Sequence, residues 1–531
     1  MFVLGCGDGG GGGAIADTGE AVDVFVPETD GVATDDAPDA PEPDGAPETV
    51  APDTAPDTSS GCGAITPEGQ CDGSEIVYCQ SIESGVARYD CGPDYECGVV
   101  DGVAECRLPG SAGCGPVTYE GACEGDVVVY CNPEVTEVTR YDCGVDGLGC
   151  AWVDDTTGYW CVDVGTGGSQ TVRGAFYFEK RQVTENGLGA VVEMPVRHAI
   201  VQLRTAAGDA LVATGATDAD GAFEIAFDLP GGDVYAVALA GADDGHYAVF
   251  VRDCPLEDCG DAGYVHAVYS EPFTPSGEVD IGGWLADADG SGGAFNIFDA
   301  FLRGQDFAWQ VYDERPPLLT GQWAAGASTT CGDVSCFSAR SRSIYVLGIA
   351  RDTDQFDDPV LGHEFGHYLE DAYSRSDSPG GDHDGSPTDP RLAWGEGYGT
   401  FTGCEIMGSP IYIDTALGGA SVTDVSRTGL RANPNGGLRQ ALSEYVVAET
   451  LWTLSRGSST SAALGGPVIF DVLRWYFPIQ WFADRGVGGV DLVDFLDGLL
   501  CRGAIAADPS QRVAVDRMRF PYDFGGPSGC R

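Results

Sequence analysis

Apolar residues recur at helical spacing in the C-terminal half of the chain. Such faces predict helices over residues 295–307, 438–456, 468–476 and 490–501. Another helix is predicted to begin near Asp358-Pro359, because an N-cap residue followed by proline suits a first helical turn. Its apolar face comprises Val360, Leu361, Phe365, Tyr368 and Leu369. The run 343–350 predicts a strand directly before this helix.

Residues 171–276 instead show the alternation that is typical of strands. Runs at 172–178, 199–203 and 236–239 surround an acidic turn at 217–223. The length suits an all-β sandwich of about seven strands. The turn, Thr-Asp-Ala-Asp-Gly-Ala-Phe, resembles that of carboxypeptidase-regulatory-like, transthyretin-like β-sandwiches. A later acidic turn, Asp287 to Gly290, lacks the acidic ligand that would end an EF-hand loop, so we expect an ordinary turn before a helix.

Two cysteine-rich repeats precede this region, over 61–110 and 111–165. Each has six cysteines, and the first four of the two sets are offset by 52 residues. Modules this small need cross-links, and C-x-x-C pairs typical of zinc sites are absent. We therefore predict three disulfides per repeat and an oxidising compartment. The two sets are Cys62, Cys71, Cys79, Cys91, Cys97 and Cys106, then Cys114, Cys123, Cys131, Cys143, Cys150 and Cys161.

The remaining cysteines predict three further cross-links: one in the β-region, one before the helix that begins near Asp358, and one after the last predicted helix. If Cys6 carries a lipid, Cys404 is left unpaired. The predicted pairs are Cys254 with Cys259, Cys331 with Cys336, and Cys501 with Cys530.

Residues 1–60 show no apolar periodicity. The stretch 7–60 holds fourteen acidic residues and no basic one, so we expect a disordered acidic tether. Leu4-Gly5-Cys6 resembles the end of a bacterial lipoprotein signal, which implies a lipid on Cys6. The expected location is therefore extracellular or at the cell surface, in a bacterial envelope. Membrane contact is expected only through that lipid.

The formal net charge of −56 excludes some partners. Nucleic acids and anionic membranes are negatively charged and would be repelled. The sequence also has no apolar run of roughly 18–20 residues that could span a bilayer as a helix.

Candidate chemistry centres on His363-Glu364-Phe365-Gly366-His367, an H-E-x-x-H string. Residues four apart lie on one helix face, so both imidazoles can reach one metal ion. Zinc suits imidazole ligands, and Glu364 stands where a general base for water is needed. Two of the six histidines of the chain fall here. The alternative is a structural helix with two core histidines.

A catalytic zinc site needs a third protein ligand. The metzincin spacing fails, because Tyr373 occupies the position of the third histidine. Glu396, in the run Trp394 to Phe401, resembles the glutamate of the E-G-aromatic-small helix in gluzincin metallopeptidases. That resemblance implies a site of His363, His367 and Glu396, with His383 and Asp389 as alternative third ligands.

The sequence thus predicts a multidomain chain: tether, disulfide-rich repeats, all-β sandwich, and over 277–531 an α+β zincin-like catalytic domain with a helical C-terminal half. The resemblance implies a zinc endopeptidase acting on protein or peptide substrates, with Glu364 as base. Tyr398 and His383 are candidates for stabilising the oxyanion. The alternatives are a surface binding or adhesion protein on a zincin scaffold and a zinc hydrolase of non-peptide amides.

Overall fold

The structure is a computed structural model. The chain divides into two units, residues 1–58 and 59–531, and every described residue lies in the second. The predicted tether and Cys6 fall outside the described residues. The described residues are 65, 69–81, 85–90, 96–100, 103–107, 114, 117, 119, 121–132, 137–146, 148–154, 157–162, 170–228, 231–256, 264–381, 383–416, 419–433, 442–457, 462–478 and 487–505.

Each cysteine-rich repeat contains a three-stranded antiparallel sheet followed by a two-stranded hairpin. The strands of the first repeat are β1 (Gln70–Asp72), β2 (Glu75–Ser81), β3 (Gly85–Asp90), β4 (Glu96–Val100) and β5 (Val103–Arg107). Those of the second are β6 (Ala122–Glu124), β7 (Val127–Asn132), β8 (Glu137–Asp142), β9 (Gly149–Asp154) and β10 (Gly158–Val162).

Disulfides staple the second repeat as predicted. Cys114–Cys131, Cys123–Cys150 and Cys143–Cys161 join its first cysteine to the third, the second to the fifth and the fourth to the sixth. Cys71–Cys97 repeats the second-to-fifth pairing in the first repeat. Cys331–Cys336 is also formed as predicted. Among the described cysteines Cys404 is free. These cross-links indicate an oxidising environment.

Three sheets follow. The first has the order β12-β11-β15 with β20 also paired to β11; the second is β14-β13-β16-β19; the third is β17-β18-β21-β23-β22. The first and third contain strands from both sides of residue 276. The strands of the three sheets are β11 (Gln170–Thr184), β12 (Gly187–Pro195), β13 (Ile200–Thr205), β14 (Leu211–Ala216), β15 (Ala222–Phe227), β16 (Val234–Leu239), β17 (Gly241–Asp243), β18 (Ala248–Arg252), β19 (Ala267–Tyr269), β20 (Glu278–Ala286), β21 (Leu319–Gln322), β22 (Cys336–Ser338) and β23 (Ser343–Tyr345).

The helices come afterwards, apart from one that separates β20 from β21. A further hairpin, β24 (Ile411–Asp414) and β25 (Ser421–Asp424), lies between the third and fourth helices. The described part of the chain is thus a mixed α/β protein with six α-helices. They are α1 (Gly292–Tyr312), α2 (Asp358–Tyr373), α3 (Pro390–Met407), α4 (Glu444–Arg456), α5 (Gly466–Trp475) and α6 (Leu492–Cys501).

The helix boundaries follow local sequence chemistry. Asp389 caps α3 by accepting a hydrogen bond from the Arg391 backbone N–H, and Gly408 ends that helix in the left-handed region. The helix predicted from residue 438 begins instead at Glu444. Leu442 forms a β-bridge with Thr388, which holds this segment in an extended conformation; residues 438–441 lie outside the described part.

One continuous apolar core runs from Val172 in β11 to Ile505 after α6 and joins sheets and helices. A separate cluster includes Trp152 of the second repeat and Phe250 of β18, so the repeat packs on the third sheet. None of the helices in the described ranges has the length and apolarity to cross a bilayer.

A buried charge network joins the first sheet to the start of α2. Lys180, the single lysine of the sequence, lies in β11, and its Nζ is 2.7 Å from Oδ2 of Asp358. Arg303 of α1 donates to the same oxygen at 3.0 Å. Asn296 donates to Oδ1 of Asp358 at 3.0 Å. The first residue of α2 is therefore fixed from two other elements.

Candidate metal centre

Helices α2 and α3 cross where both backbones carry glycine. A Cβ added to Gly362 would lie 2.8 Å from Cα of Gly403, and one added to Gly366 would lie 3.0 Å from Cα of Gly399. A Cβ on Gly403 would lie 2.6 Å from the carbonyl oxygen of Pro359. Only glycine allows this approach, which carries Glu396 of α3 to the histidines of α2.

The glycine spacing was a signal that sequence analysis missed. Gly362 and Gly366 are four residues apart on α2, as are Gly399 and Gly403 on α3, so each pair lies on one face. The glycines that flank Glu396 lie elsewhere. Gly397 allows close contact with α4, since its added Cβ would be 2.4 Å from the carbonyl oxygen of Glu444.

Three predicted ligands converge at this crossing. Nε2 of His363 and Nε2 of His367 are 3.0 Å apart. Oε2 of Glu396 is 3.2 Å from the first nitrogen and 3.5 Å from the second. The three side chains form a group that could hold a metal ion.

The spacing of these atoms fits a tetrahedral zinc ion. Ligand bonds of about 2.0–2.1 Å place two tetrahedral ligand atoms about 3.3 Å apart. The three observed separations, 3.0, 3.2 and 3.5 Å, bracket that value. Two imidazoles and a carboxylate are also a ligand set found in catalytic zinc sites.

Thr400 orients the first histidine. Its Oγ1 lies 3.2 Å from Nδ1 of His363, in the buried space between α2 and α3. A proton on Nδ1, donated to this hydroxyl oxygen, leaves the lone pair on Nε2, the nitrogen that faces the other two ligands. Thr400 follows Glu396 by one helical turn, so a single face of α3 supplies both contacts.

The charges of the group are mutually stabilising. Burial opposes ionisation of both His367 and Glu396, but their attraction is stronger. The Glu396 carboxylate raises the pKa of His367 to about 9. The pKa of Glu396 is lowered, because His367 and His363 favour the carboxylate over the effect of burial. The group therefore holds an anionic oxygen, and a metal ion that binds here would displace the proton of His367.

Glu364 lies beside the ligands in a cleft of about 520 Å³. The residue is only 7% exposed, yet its Oε2 accepts no hydrogen bond from the residues that the structure describes. A buried carboxylate oxygen of this kind needs a polar partner such as water. The cleft also contains His367 and Glu396, so this oxygen faces the same space as the ligands.

His383 reaches the site from the loop between α2 and α3. Its Nε2 lies 3.3 Å from Oε2 of Glu396, and its Nδ1 lies 3.2 Å from Oε2 of Glu444. The hydrogen bond to Glu444 raises the pKa of His383. Glu444 itself is buried at the start of α4 and was not predicted as a site residue. His383 therefore lies at the edge of the cleft, held by a second carboxylate.

Two other predicted residues lie in different surroundings. Tyr398 is fully buried, with its ring stacked on Trp394 and packed against Phe470 of α5, so it belongs to the core between helices. Asp389 serves as the N-cap of α3, and its carboxylate also pairs with the Arg391 guanidinium at 3.0 Å. Glu396 is the candidate third ligand that the structure groups with both histidines.

Comparison with known proteins adds no family. No family model matches the chain, and no curated protein matches it. The crystal structure of a 9R-lipoxygenase from Cyanothece PCC8801 aligns with 28% of this chain and 25% of that enzyme, at 12% identity and a TM-score of 0.14. The chain thus spans about a quarter of the lipoxygenase, and so weak a likeness carries no argument about fold or activity.

A second group of carboxylates combines two residues that precede α2 with one from β24. Oxygen atoms of Asp352, Asp354 and Asp414 lie within 4.8 Å of one another. Burial and repulsion from neighbouring carboxylates raise the pKa of Asp354 to about 9. Burial also raises the pKa of Asp357 to about 8, although Thr415 donates two hydrogen bonds to it. Aspartates cluster in the sequence just upstream of the H-E-x-x-H helix, and this clustering was the signal from which the carboxylate group could have been predicted.

Proposed function

We propose that the protein is a zinc-dependent peptidase of gluzincin-like type, with zinc held by His363, His367 and Glu396. The observation that carries this proposal is the triangle of ligand atoms, whose edges suit tetrahedral zinc. The adjacent Glu364 carboxylate favours catalysis over a purely structural metal site, because a structural site needs no base.

Held by His363, His367 and Glu396, zinc would supply Lewis-acid chemistry, polarising a scissile carbonyl and lowering the pKa of water. Glu364 would accept a proton from the attacking water through Oε2, the buried carboxylate oxygen that has no hydrogen-bond partner among the described residues. The water oxygen bonds to the carbonyl carbon, the C–N bond breaks, and Glu364 delivers the proton to the leaving amine. Each turnover consumes one water molecule per peptide bond and releases a carboxylic acid and an amine.

His383 takes the oxyanion-stabilising role. Its contact with Glu444 favours the imidazolium form, in which Nε2 also carries a proton to donate. Nε2 lies 3.3 Å from Oε2 of Glu396, and His383 lines the same cleft as Glu364. The fully buried Tyr398 has no part in this proposal.

A peptide substrate is favoured by the wall of the cleft. Strand β22 ends the order of its sheet, and Cys336 and Phe337 of this strand line the cleft beside Glu364. Among the described residues β22 pairs only with β23, and the other edge of such a strand can add an extended peptide through backbone hydrogen bonds. The substrate would then pass alongside the ligands.

Metal analysis combined with cleavage of a peptide library tests the proposal. We expect His363→Ala to lose zinc, because one of three ligands is removed. Glu364→Gln should keep zinc and lose about 10²–10⁴-fold in turnover, the usual share of a general base. His246→Ala, at a histidine paired with Asp306 away from the cleft, is the matched control and should keep both. Stoichiometric zinc in His363→Ala, or normal turnover in Glu364→Gln, would refute it.

The third ligand needs a separate pair of variants. Glu396→Ala should weaken zinc binding by about 10–100-fold or more, since it removes a direct ligand. His383→Ala should keep zinc but lower turnover, because His383 lies beyond the triangle. Zinc lost from His383→Ala and kept by Glu396→Ala would move the site to the loop and end the gluzincin-like assignment.

A further inference from the structure

The second cysteine-rich repeat carries an exposed aromatic pair far along the chain from the metal ligands. The rings of Tyr141 in β8 and Trp160 in β10 stack with centroids 6.0 Å apart and planes 15° apart. Tyr130 meets the same tryptophan edge-on at 5.7 Å. Tyr141 is 44% exposed and Trp160 is 41% exposed. We call Tyr141 and Trp160 the aromatic surface.

The first repeat shows how the equivalent position is used. Tyr89 is the counterpart of Tyr141: it lies opposite Ile76 in β2, as Tyr141 lies opposite Val128 in β7. In the first repeat this tyrosine holds an arginine from outside the module. The Arg340 guanidinium carbon lies 5.4 Å from the Tyr89 ring centroid, and Nη1 donates to the Tyr89 hydroxyl at 2.5 Å.

The arginine that directly precedes this tyrosine forms an equivalent ion pair in each repeat. The two modules can therefore be compared residue by residue. Arg88 pairs with Asp72, and its counterpart Arg140 pairs with Glu124 at the equivalent position of β6. These intramodule pairs occupy the arginines beside each tyrosine. The tyrosine that follows the arginine is exposed in both repeats, 38% for Tyr89 and 44% for Tyr141.

The second repeat adds a ring that the first lacks. Cys161 lies opposite Cys150, and Cys106 lies opposite Cys97, so Trp160 corresponds to Glu105. Tryptophan is the best of the aromatic residues for binding a cation. Guanidinium groups stack on such rings and donate hydrogen bonds around them, which ammonium groups do less well. Glutamate at this position would offer no ring.

The net charge of the chain favours a positively charged partner. The chain carries a formal charge of −56, which attracts cationic groups and repels anionic ones. We propose that the aromatic surface of the second repeat docks a partner polypeptide through its arginine side chains. This inference stands apart from the peptidase proposal, because it uses neither the cleft nor the metal ligands. Neutral sugars also stack on aromatic rings, but Arg340 on Tyr89 is the contact that this module displays.

Binding of three matched peptides to the full-length protein tests the inference. The peptides carry arginine, lysine or the neutral isostere citrulline at the same positions, and a neutral oligosaccharide is the fourth ligand. All proteins carry Glu364→Gln so that peptides are not cleaved. We expect titration calorimetry to show the tightest binding for the arginine peptide. Equal binding of the citrulline peptide, or binding of the oligosaccharide alone, would overturn the proposal.

Variants then locate the site. Tyr141→Ala and Trp160→Ala should each weaken binding of the arginine peptide by about 3–30-fold, the range of cation–π contacts. Trp160→Tyr keeps a ring and should stay within about 3-fold of the parent. Tyr119→Ala, an exposed tyrosine of the same repeat, is the matched control and should bind unchanged. The aromatic surface would be refuted as the binding site if Trp160→Ala and Trp160→Tyr both bound the arginine peptide as the parent does. This test does not depend on whether Tyr141→Ala folds.

Discussion

At the metal centre, a single hydroxyl determines which nitrogen of His363 faces the ligand triangle. Thr400 Oγ1 is the buried partner of Nδ1, and its place on α3 ties that contact to Glu396 one turn earlier. A partner of this kind fixes both the tautomer and the ring orientation of a ligand. The orientation of His363 within the candidate metal centre therefore depends on Thr400, which is not one of the three predicted ligands.

We expect Thr400→Val to weaken zinc binding by about 10–100-fold, the usual effect of removing such a partner. Valine keeps the shape of threonine but cannot accept the Nδ1 hydrogen bond, so the imidazole loses its preferred tautomer. Competition with a fluorescent zinc chelator measures the change. Thr400→Ser keeps the hydroxyl and is expected to restore most of the affinity; equal affinities for the two variants would contradict this role.

At the scale of elements, the approach of α2 to α3 sets the distance between ligands. Gly403 leaves no space for a side chain, because a Cβ there would lie 2.6 Å from a backbone oxygen. Gly395, on the same helix, would place its Cβ at an ordinary 3.6 Å from Ser378. Substitutions at these two positions therefore distinguish the effect of helix propensity, at Gly395, from the effect of close helix packing, at Gly403.

Gly403→Ala should destabilise the fold by about 1–3 kcal/mol through overpacking and weaken zinc binding, since the helices must move apart. Gly395→Ala should instead be neutral or stabilising by up to about 1 kcal/mol, because alanine favours the helix. Thermal unfolding and zinc titration of both variants provide the comparison. A Gly403→Ala protein with normal zinc affinity would show that the crossing does not control the site.

Local spacing was enough to predict α2 and the shared face of its two histidines. The third predicted ligand, Glu396, needed a resemblance, because it is 29 residues beyond His367 and only tertiary packing joins it to the histidines. Glu444 and Thr400 escaped prediction because isolated polar residues on helices carry no local signal. Tyr398 was placed at the site by proximity in sequence, but its side of α3 faces Phe470.

At the scale of the whole molecule, acidity shapes stability. Asp354 and Asp357 have folded-state pKa values of about 9 and about 8, against an ordinary value of 3.8. A carboxyl with a raised pKa binds a proton in the folded chain that the unfolded chain has already lost. Its contribution is greatest below the unfolded pKa, and stability falls as pH rises toward the folded pKa.

We therefore expect these two carboxyls together to lower the free energy of unfolding by about 2–3 kcal/mol per pH unit between pH 6 and 8. The lowered pKa values of Glu396 and Asp358 act at acidic pH, below this window. Asp354→Asn removes one of the titrating groups while retaining an acceptor for Ser335, so its curve should be shallower by about 1 kcal/mol per pH unit. Denaturant unfolding at several pH values measures both slopes, and parallel curves would contradict the expectation.

Sheet pairing is the part of the architecture that periodicity did not predict. Strands were recognisable from alternation, but β20 pairs with β11 and β21 pairs with β18, across the boundary expected at residue 276. Such pairings join residues far apart in sequence, and no local pattern specifies them. The β-region and the helical region consequently share one core.

The charge network at the start of α2 has a practical consequence. Lys180 supplies the single side-chain amine of this sequence, and it contacts Asp358, the first residue of the helix that carries both histidines. Reductive methylation with ¹³C-formaldehyde would thus label one side chain, whose NMR signal depends on the carboxylate beside it. The labelled Lys180 would act as a spectroscopic reporter, because any shift of α2 moves the Asp358 carboxylate relative to its amine nitrogen.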